Sequence, residues 1–206
     1  MSTELAIGIR THQGAFGLEL GDETIARLDR YYGLLLEHNP ILHLIGPMDA
    51  EEFAIRHVLE SLTLLEFLPD TARFADVGSG GGLPGIPCML VRDDLSTVLI
   101  ESKEKKTKFL ELAVEELGVA KRALVVNRQF QEVDPGDCEF IVCRALDKLT
   151  DRLERLLKWA NGRQVLLFGG PNLSEALQKQ RVHFDETLMP LSNQRYLFVV
   201  GRKPTT

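Results

Sequence analysis

Between Phe74 and Leu90 the chain reads FADVGSGGGLPGIPCML. A short apolar run meets Asp76, then Gly78, Ser79, Gly80, Gly81 and Gly82, then Leu83, Pro84 and Pro87. Glycines at this density let a ligand approach the backbone and permit φ above zero. A second carboxylate, Glu101, closes the next apolar run, STVLI, 25 positions after Asp76. A carboxylate there can accept hydrogen bonds from ribose hydroxyls. The pairing of loop and acid points to nucleoside binding. The plainer reading makes Asp76 and Glu101 helix caps or solvated charges, and it holds for either residue taken alone.

The spacing discriminates among nucleoside ligands. The dinucleotide fingerprint is G-x-G-x-x-G, opening a helix that receives a pyrophosphate. Here its third glycine falls on Leu83. Pro84 and Pro87 also remove amide donors where a pyrophosphate needs them. A G-x-x-x-x-G-K-[ST] phosphate loop is absent. The expected ligand therefore carries little phosphate at this point. D-x-G-x-G-x-G after a strand resembles the S-adenosylmethionine loop of Rossmann-like methyltransferases. Their cofactor has an amino-acid moiety and a sulfonium where dinucleotides have a pyrophosphate.

The surrounding elements must position this loop. ETIARLDRYYGLLLEHN has helical spacing, with Asp22 as its cap and Asn39-Pro40 as its stop. A second helix starts at Asp49, with Glu52 three residues on as a capping box. Its apolar face is Ile55, Leu59, Leu62 and Leu65. Residues 1–68 thus read as a helical extension, and 69–206 as a separate core. In the core, β-rich runs (73–77, 96–101, 122–127, 139–144, 163–168) alternate with helical ones. That pattern predicts an α/β fold with a mostly parallel sheet and helices on both faces. The last two strands, separated only by PLSNQ, are expected to pair antiparallel.

Composition sets outer limits. The 206 residues are 44% hydrophobic and 26% charged, an ordinary globular balance. Cys88, Cys138 and Cys143 form no CxxC pair and no metal-like cluster with the five histidines, so no metal is expected. The first residues lack the basic-then-apolar layout of a secretory signal, and no stretch matches a membrane span. The expectation is a cytoplasmic protein without membrane partners. A net charge of −6 argues against general nucleic-acid binding but leaves room for a local basic face.

Four stretches together resemble one family, the bacterial methyltransferases of guanine N7 in 16S ribosomal RNA, also called glucose-inhibited division protein B. They are DVGSGGGLPGIP (76–87), RHVLESL (56–62), IESKEKKTKFL (100–110) and CRAL (143–146). The likeness spans roughly residues 20–200. It implies a Rossmann-like class I methyltransferase core, an antiparallel C-terminal strand and an N-terminal helical extension. It also implies S-adenosylmethionine as cofactor and 16S ribosomal RNA, or the small ribosomal subunit, as partner. The cofactor is expected against Asp76, Gly78, Ser79, Gly80, Gly82, Leu83 and Glu101, with Phe130 and Gln131 bordering its adenine. Arg144 is expected nearest its methionine end and the target guanine, as the catalytic residue.

Three positions depart from the family pattern. His43-Leu44-Ile45 stands where members usually have Asn-Leu-Thr, and Phe130-Gln131 where Val-Glu is common. The fifth strand runs into LLFGGPN, without the lysine of the usual A-x-K-G. A small-molecule methyltransferase, or a diverged cofactor-binding paralogue, therefore stays open as an alternative.

RNA contact is expected from Arg56, His57, Lys103, Lys105 and Lys106. The three lysines cluster at a helix start, where the dipole disfavours cations. An ordinary solvated surface is the competing reading for the lysines, and a structural helix-start pair for Arg56-His57. Arg152, Arg155 and Lys158 read as solvated helix surface, and Cys88 as core.

Overall fold

The computed structural model describes residues 3–144 and 149–201. A seven-stranded sheet runs in the order β3-β2-β1-β4-β5-β7-β6. The strands are β1 (Arg73–Val77), β2 (Ser96–Ile100), β3 (Ala123–Val126), β4 (Phe140–Cys143), β5 (Gln164–Gly169), β6 (Phe184–Leu188) and β7 (Tyr196–Val200). The first five pair in parallel, and β7 lies antiparallel to both β5 and β6. The short connection from β6 to β7 forces that direction, as expected from its length. Strand order reverses at β1, with β2 on one side and β4 on the other. A crevice opens at the carboxyl ends of parallel strands at such a point.

Alternation along β1 assigns its residues to two cores. Phe74 joins a cluster with Leu99, Phe140 and Leu166, beneath helices on one face. Ala75 and Val77 join the opposite cluster with Val98, Ile141 and Leu167. The first face carries α1 (Glu4–His12), α2 (Asp22–Leu42), α5 (Gly85–Val91) and α6 (Glu104–Glu116). The second carries α7 (Leu149–Ala160) and α8 (Pro171–Lys179) through Leu153, Leu156, Leu173 and Leu177. Buried residues of α1 and α2, including Leu5, Ile9, Leu28 and Leu35, belong to the same cluster as Phe74.

Two details of α2 differ from the sequence expectation. Gly21 is its N-cap, and Asp22 is the first helical residue, paired with Arg10 at 2.7 Å. The helix also runs through Pro40 to Leu42. Proline there removes one N–H, in the last turn only. Beyond that turn Asn39 takes over, its Oδ1 accepting from the amides of Leu44 and Ile45 at 2.7 and 2.9 Å. His43, at φ 49°, closes the turn by donating to the Asn39 carbonyl. This reversal carries Leu44 towards the glycine loop.

The next helical run has three parts: α3 (Ala50–Phe53), a π-helical turn over Ala54–Leu59, and α4 (Glu60–Leu62). Asp49 caps it, accepting from the Glu52 amide at 2.7 Å. A π turn inserts an extra residue and re-aims the side chains that follow. Arg56 and His57 sit within it, and Glu60 and Ser61 come just after.

Helix α2 also grips the loop directly. Tyr31 is fully buried and donates its hydroxyl to the Gly81 carbonyl at 2.9 Å. Tyr31→Phe should cost about 1–2 kcal/mol, because it leaves a buried carbonyl without a partner. Chemical denaturation checks this, and an unchanged midpoint would remove Tyr31 from the loop's support.

Candidate active site

The loop after β1 is held mainly by its own backbone. The amides of Gly78 and Ser79 donate to the Ile100 carbonyl at 2.9 and 3.1 Å, tying the loop to the end of β2. Ser79 Oγ donates to the Asp76 carbonyl at 2.8 Å. The Gly82 amide donates to the Ser79 carbonyl at 2.7 Å. Gly78 and Gly82 have φ of 74° and 93°, which favours glycine at both. A side chain at Gly82 would also overlap Ile86.

Beside this loop lies a cavity of about 240 Å³. Gly78, Ser79, Gly80, Gly81 and Leu83 form one wall; Glu101, Ser102, Lys103 and Lys106 form another. Leu44 and His57, from the helical segment before β1, line it too, with Arg144 and Arg152. A narrow cleft of about 20 Å³ shares Gly78, Ser102 and Arg152 with it and reaches Phe130. The cavity therefore draws on both the segment before residue 69 and the segment after it.

Most residues singled out from the sequence meet here, in different roles. Glu101 is 7% exposed and accepts from the amides of Gly80 and Lys103 at 3.1 and 2.8 Å. Phe130 is buried at the cleft, its ring edge-on to Trp159, while Gln131 is exposed and lines neither space. Lys103 and Lys105 are exposed, and only Lys103 borders the cavity. Lys106 is half-buried at its edge and donates to the His43 carbonyl at 3.2 Å. Burial lowers the Lys106 pKa, partly offset by the charge of Glu101. Arg56 pairs with Glu52 and is half-buried. Asp76 and Gly82 lie in the loop's supporting layer and line neither space.

Asp76 ties the end of β1 to the start of α5. It is 0% exposed, and its Oδ2 accepts from the Gly85 amide at 3.0 Å. Its Oδ1 has no partner among the described residues. Burial first, then the charge of Glu101, push its pKa up to about 8, against the pull of the Gly85 amide. The folded protein thus keeps a proton that the unfolded chain has already lost above about pH 4. That stabilisation is complete at low pH and disappears as pH rises through about 8.

His57 acts in the opposite sense. Burial first, then the charges of Arg144, Arg56 and Arg195, lower its pKa to about 3, so it stays neutral when folded. Its stabilisation is present above about pH 6.5 and is lost as pH falls towards 3. Between pH 6.5 and 8 the His57 contribution is complete while that of Asp76 is still being lost. Wild-type melting temperature should fall across this window, and Asp76→Asn should flatten the fall. Parallel curves for the two proteins would count against a buried neutral carboxyl.

Arg144 follows β4 directly, and its side chain is 10% exposed. Ala145, Leu146 and Lys148 of the neighbouring stretch lie outside the described residues. Arg144 is held by residues the sequence reading did not assign to it: Glu60 and Ser61, with Arg195 behind them. Glu60 and Ser61 stand within the RHVLESL motif, a signal that could have marked them. Arg195 carries no such signal. Arg152 is a correction. It was expected on solvated helix surface, but the first turns of α7 bring it to the wall of both spaces.

Residues 24–196 match the rRNA small subunit methyltransferase G family. The chain belongs to that family. It is 37% identical over 141 residues to the ribosomal RNA small subunit methyltransferase G of Azoarcus sp. (strain BH72), covering 68% of this chain and 66% of the relative, just under two thirds of its length. It is 36% identical over 174 residues to that of Chromobacterium violaceum, covering 83% of each. Among solved structures, human methyltransferase 10 domain containing protein superposes with a TM-score of 0.55 at 14% identity, over 84% of this chain and 96% of that one. At that identity the likeness concerns the fold alone.

The family match spans the glycine loop that forms the cavity wall described above. Among the described residues no helix is long and apolar enough to cross a membrane, and no group of His, Cys, Asp and Glu could hold a metal ion.

Proposed function

We propose that the protein transfers a methyl group from S-adenosylmethionine to N7 of a guanine in 16S ribosomal RNA. The observation that carries this reading is the glycine-walled cavity at the strand ends, with Glu101 on one side and Arg144 on the other, in a chain of this family.

The residues present fit the cofactor. Gly78 and Gly80 line the cavity with bare backbone at positive φ, and Glu101 supplies a carboxylate beside them. Phe130 offers an apolar ring at the adjoining cleft, and the amides of Gly78, Ser79, Gly80, Gly82 and Leu83 already donate within the protein rather than to a pyrophosphate. Gly78, Ser79, Gly80, Leu83, Glu101 and Phe130 would hold it, with Asp76 and Gly82 shaping the loop from below. When bound, S-adenosylmethionine supplies the activated methyl group.

The chain's own residues then have a limited task. Guanine N7 presents an in-plane lone pair, so no side chain has to remove a proton first. His57 stays neutral and adds no charge against the cation that develops on the ring. Cys88 is fully buried, and burial pushes its thiol well above the usual range, so it is no nucleophile. What remains is orientation and exclusion of water. Arg144, fixed at the wall, offers guanidinium donors to the guanine edge or the cofactor's carboxylate. Lys103, Lys105, Lys106, Arg56 and His57 receive the RNA, helped by Arg152, on a chain that is otherwise acidic. Residues 1–68 serve as a helical extension to the core of 69–206, closing one side of the cavity with Leu44 and His57.

Labelled methyl transfer into small-subunit RNA from cells lacking this gene tests the reading. Incorporation at a guanine N7 supports it. Transfer to a small molecule instead, or no incorporation into RNA or ribosomal particles, would defeat it.

A further inference from the structure

The strand that carries Arg144 is not what holds its side chain. Nη1 donates to Ser61 Oγ at 2.9 Å, and Nη2 donates to the Arg56 carbonyl. The guanidinium also pairs with Glu60 Oε2 at 3.4 Å, and its carbon lies 5.2 Å from the centre of the Phe168 ring. Glu60 is 2% exposed. Its other oxygen, Oε1, accepts from Arg195 Nε at 2.6 Å. Arg195 is itself fixed, its amide donating to Ser192 Oγ at 3.0 Å and its carbonyl accepting from Met189 at 2.8 Å. One buried carboxylate thus joins two guanidiniums, from residues 84 and 135 positions away.

Stability alone does not account for such a group. Replacing a buried ionic cluster with apolar side chains is often neutral or stabilising, because desolvation offsets the attraction. A carboxylate that grips with both oxygens does fix direction. With Oε1 committed to Arg195, Oε2 is turned to Arg144, and the Phe168 ring limits tilting of the guanidinium plane.

We propose that Glu60 is a positioning residue. It orients Arg144 towards the cavity, and Arg195 locks Glu60 in the orientation that does so. This rests on the assignment of Arg144 to the transfer site made above. It adds that the connection between β6 and β7 takes part in the site through Arg195, although Arg195 does not line the cavity.

The test uses the full-length protein with Glu60→Gln, Glu60→Asp and Arg195→Gln. Side-chain nitrogen NMR of Arg144 reads positioning without any turnover. The wild-type guanidinium should give resolved, slowly rotating Nη signals, averaged in Glu60→Gln and sharpened again in Glu60→Asp. On small ribosomal subunits, Glu60→Gln should lower kcat by about tenfold to a hundredfold, the scale of a small misplacement in a site. KM for RNA and the calorimetric affinity for S-adenosylhomocysteine should stay within about threefold, since neither requires an aligned Arg144 for most of its contacts. Glu60→Asp should recover most of kcat, and Arg195→Gln should lower it in the same direction by less. If Glu60→Gln fails to fold, Arg195→Gln carries both measurements.

The inference falls if Arg144 signals are unchanged in the folded Glu60 and Arg195 variants. It falls too if kcat drops only in proportion to the folded fraction. A wild-type protein that methylates no RNA would defeat the proposed function instead, while the NMR comparison would still decide the clamp.

Discussion

Arg144→Ala is expected to reduce methyl transfer by about a hundredfold to a thousandfold, the usual cost of deleting one preorganised donor from a closed site. The protein should still fold, since total stability is about 5–15 kcal/mol. The substitution removes the contact with the Phe168 ring and three hydrogen-bonded partners; Glu60 keeps Arg195 on Oε1 at 2.6 Å, while its Oε2 loses Arg144. A loss of about 1–3 kcal/mol covers the vacated space. Single-turnover rates on small ribosomal subunits, beside a denaturation curve, separate the two effects. Activity equal to wild type would take Arg144 out of the site.

Gly78→Val should abolish cofactor binding, with affinity for S-adenosylhomocysteine falling at least about a hundredfold. Two costs act together. Gly78 sits at φ 74°, where a β-branched residue is strained by about 1–3 kcal/mol. It also borders both the cavity and the cleft, so a backbone shift forced by that strain changes the shape of both. Gly80→Ala is the control. Its φ of 56° carries some strain, but the added carbon meets nothing nearer than the Gly78 carbonyl at 3.8 Å. It should therefore weaken binding by much less. Calorimetry on both variants checks the pair, and unchanged affinity for Gly78→Val would refute the loop assignment.

Reading the chain as a sequence captured its local features well. The alternation of β-rich and helical runs maps onto the sheet because periods of 2 and 3.6 residues are written by burial on one face. The cap at Asp49 was visible because a cap bonds an amide three residues on. Pro40 misled for the same local reason. A proline ends most helices, yet here Asn39 satisfies the amides beyond the last turn, and its contacts depend on how the chain reverses at His43. α1 was not singled out, since nine residues with two small ones give a weak periodic signal. Leu5 and Ile9 become informative only once α1 packs into the common core.

The site divides along the same line. Gly78, Gly80, Gly82 and Glu101 stand out because the demands on them are local, a sign of φ or a place at a strand end, and the structure puts Gly78, Gly80 and Glu101 on the cavity wall and Gly82 beneath it. Arg144 was legible only through likeness to a family, since one arginine after a strand has no pattern of its own. Arg152 was misread because α7 is amphipathic, and its polar face looks the same whether it meets water or a cavity wall.

From its order of residues alone, this chain determined a mostly parallel αβ core with a glycine turn at the carboxyl end of its first strand. Backbone conformation and one-sided burial are properties of neighbours in sequence, so neighbours suffice to reveal them. Tertiary structure alone decided which groups surround Arg144. Glu60 and Phe168 reach it, and Arg195 reaches Glu60, because the sheet order places the ends of β4 and β5 and the start of β7 side by side under the π turn. Contacts between residues so far apart in the chain follow from strand order and desolvation, which no spacing of residue types records.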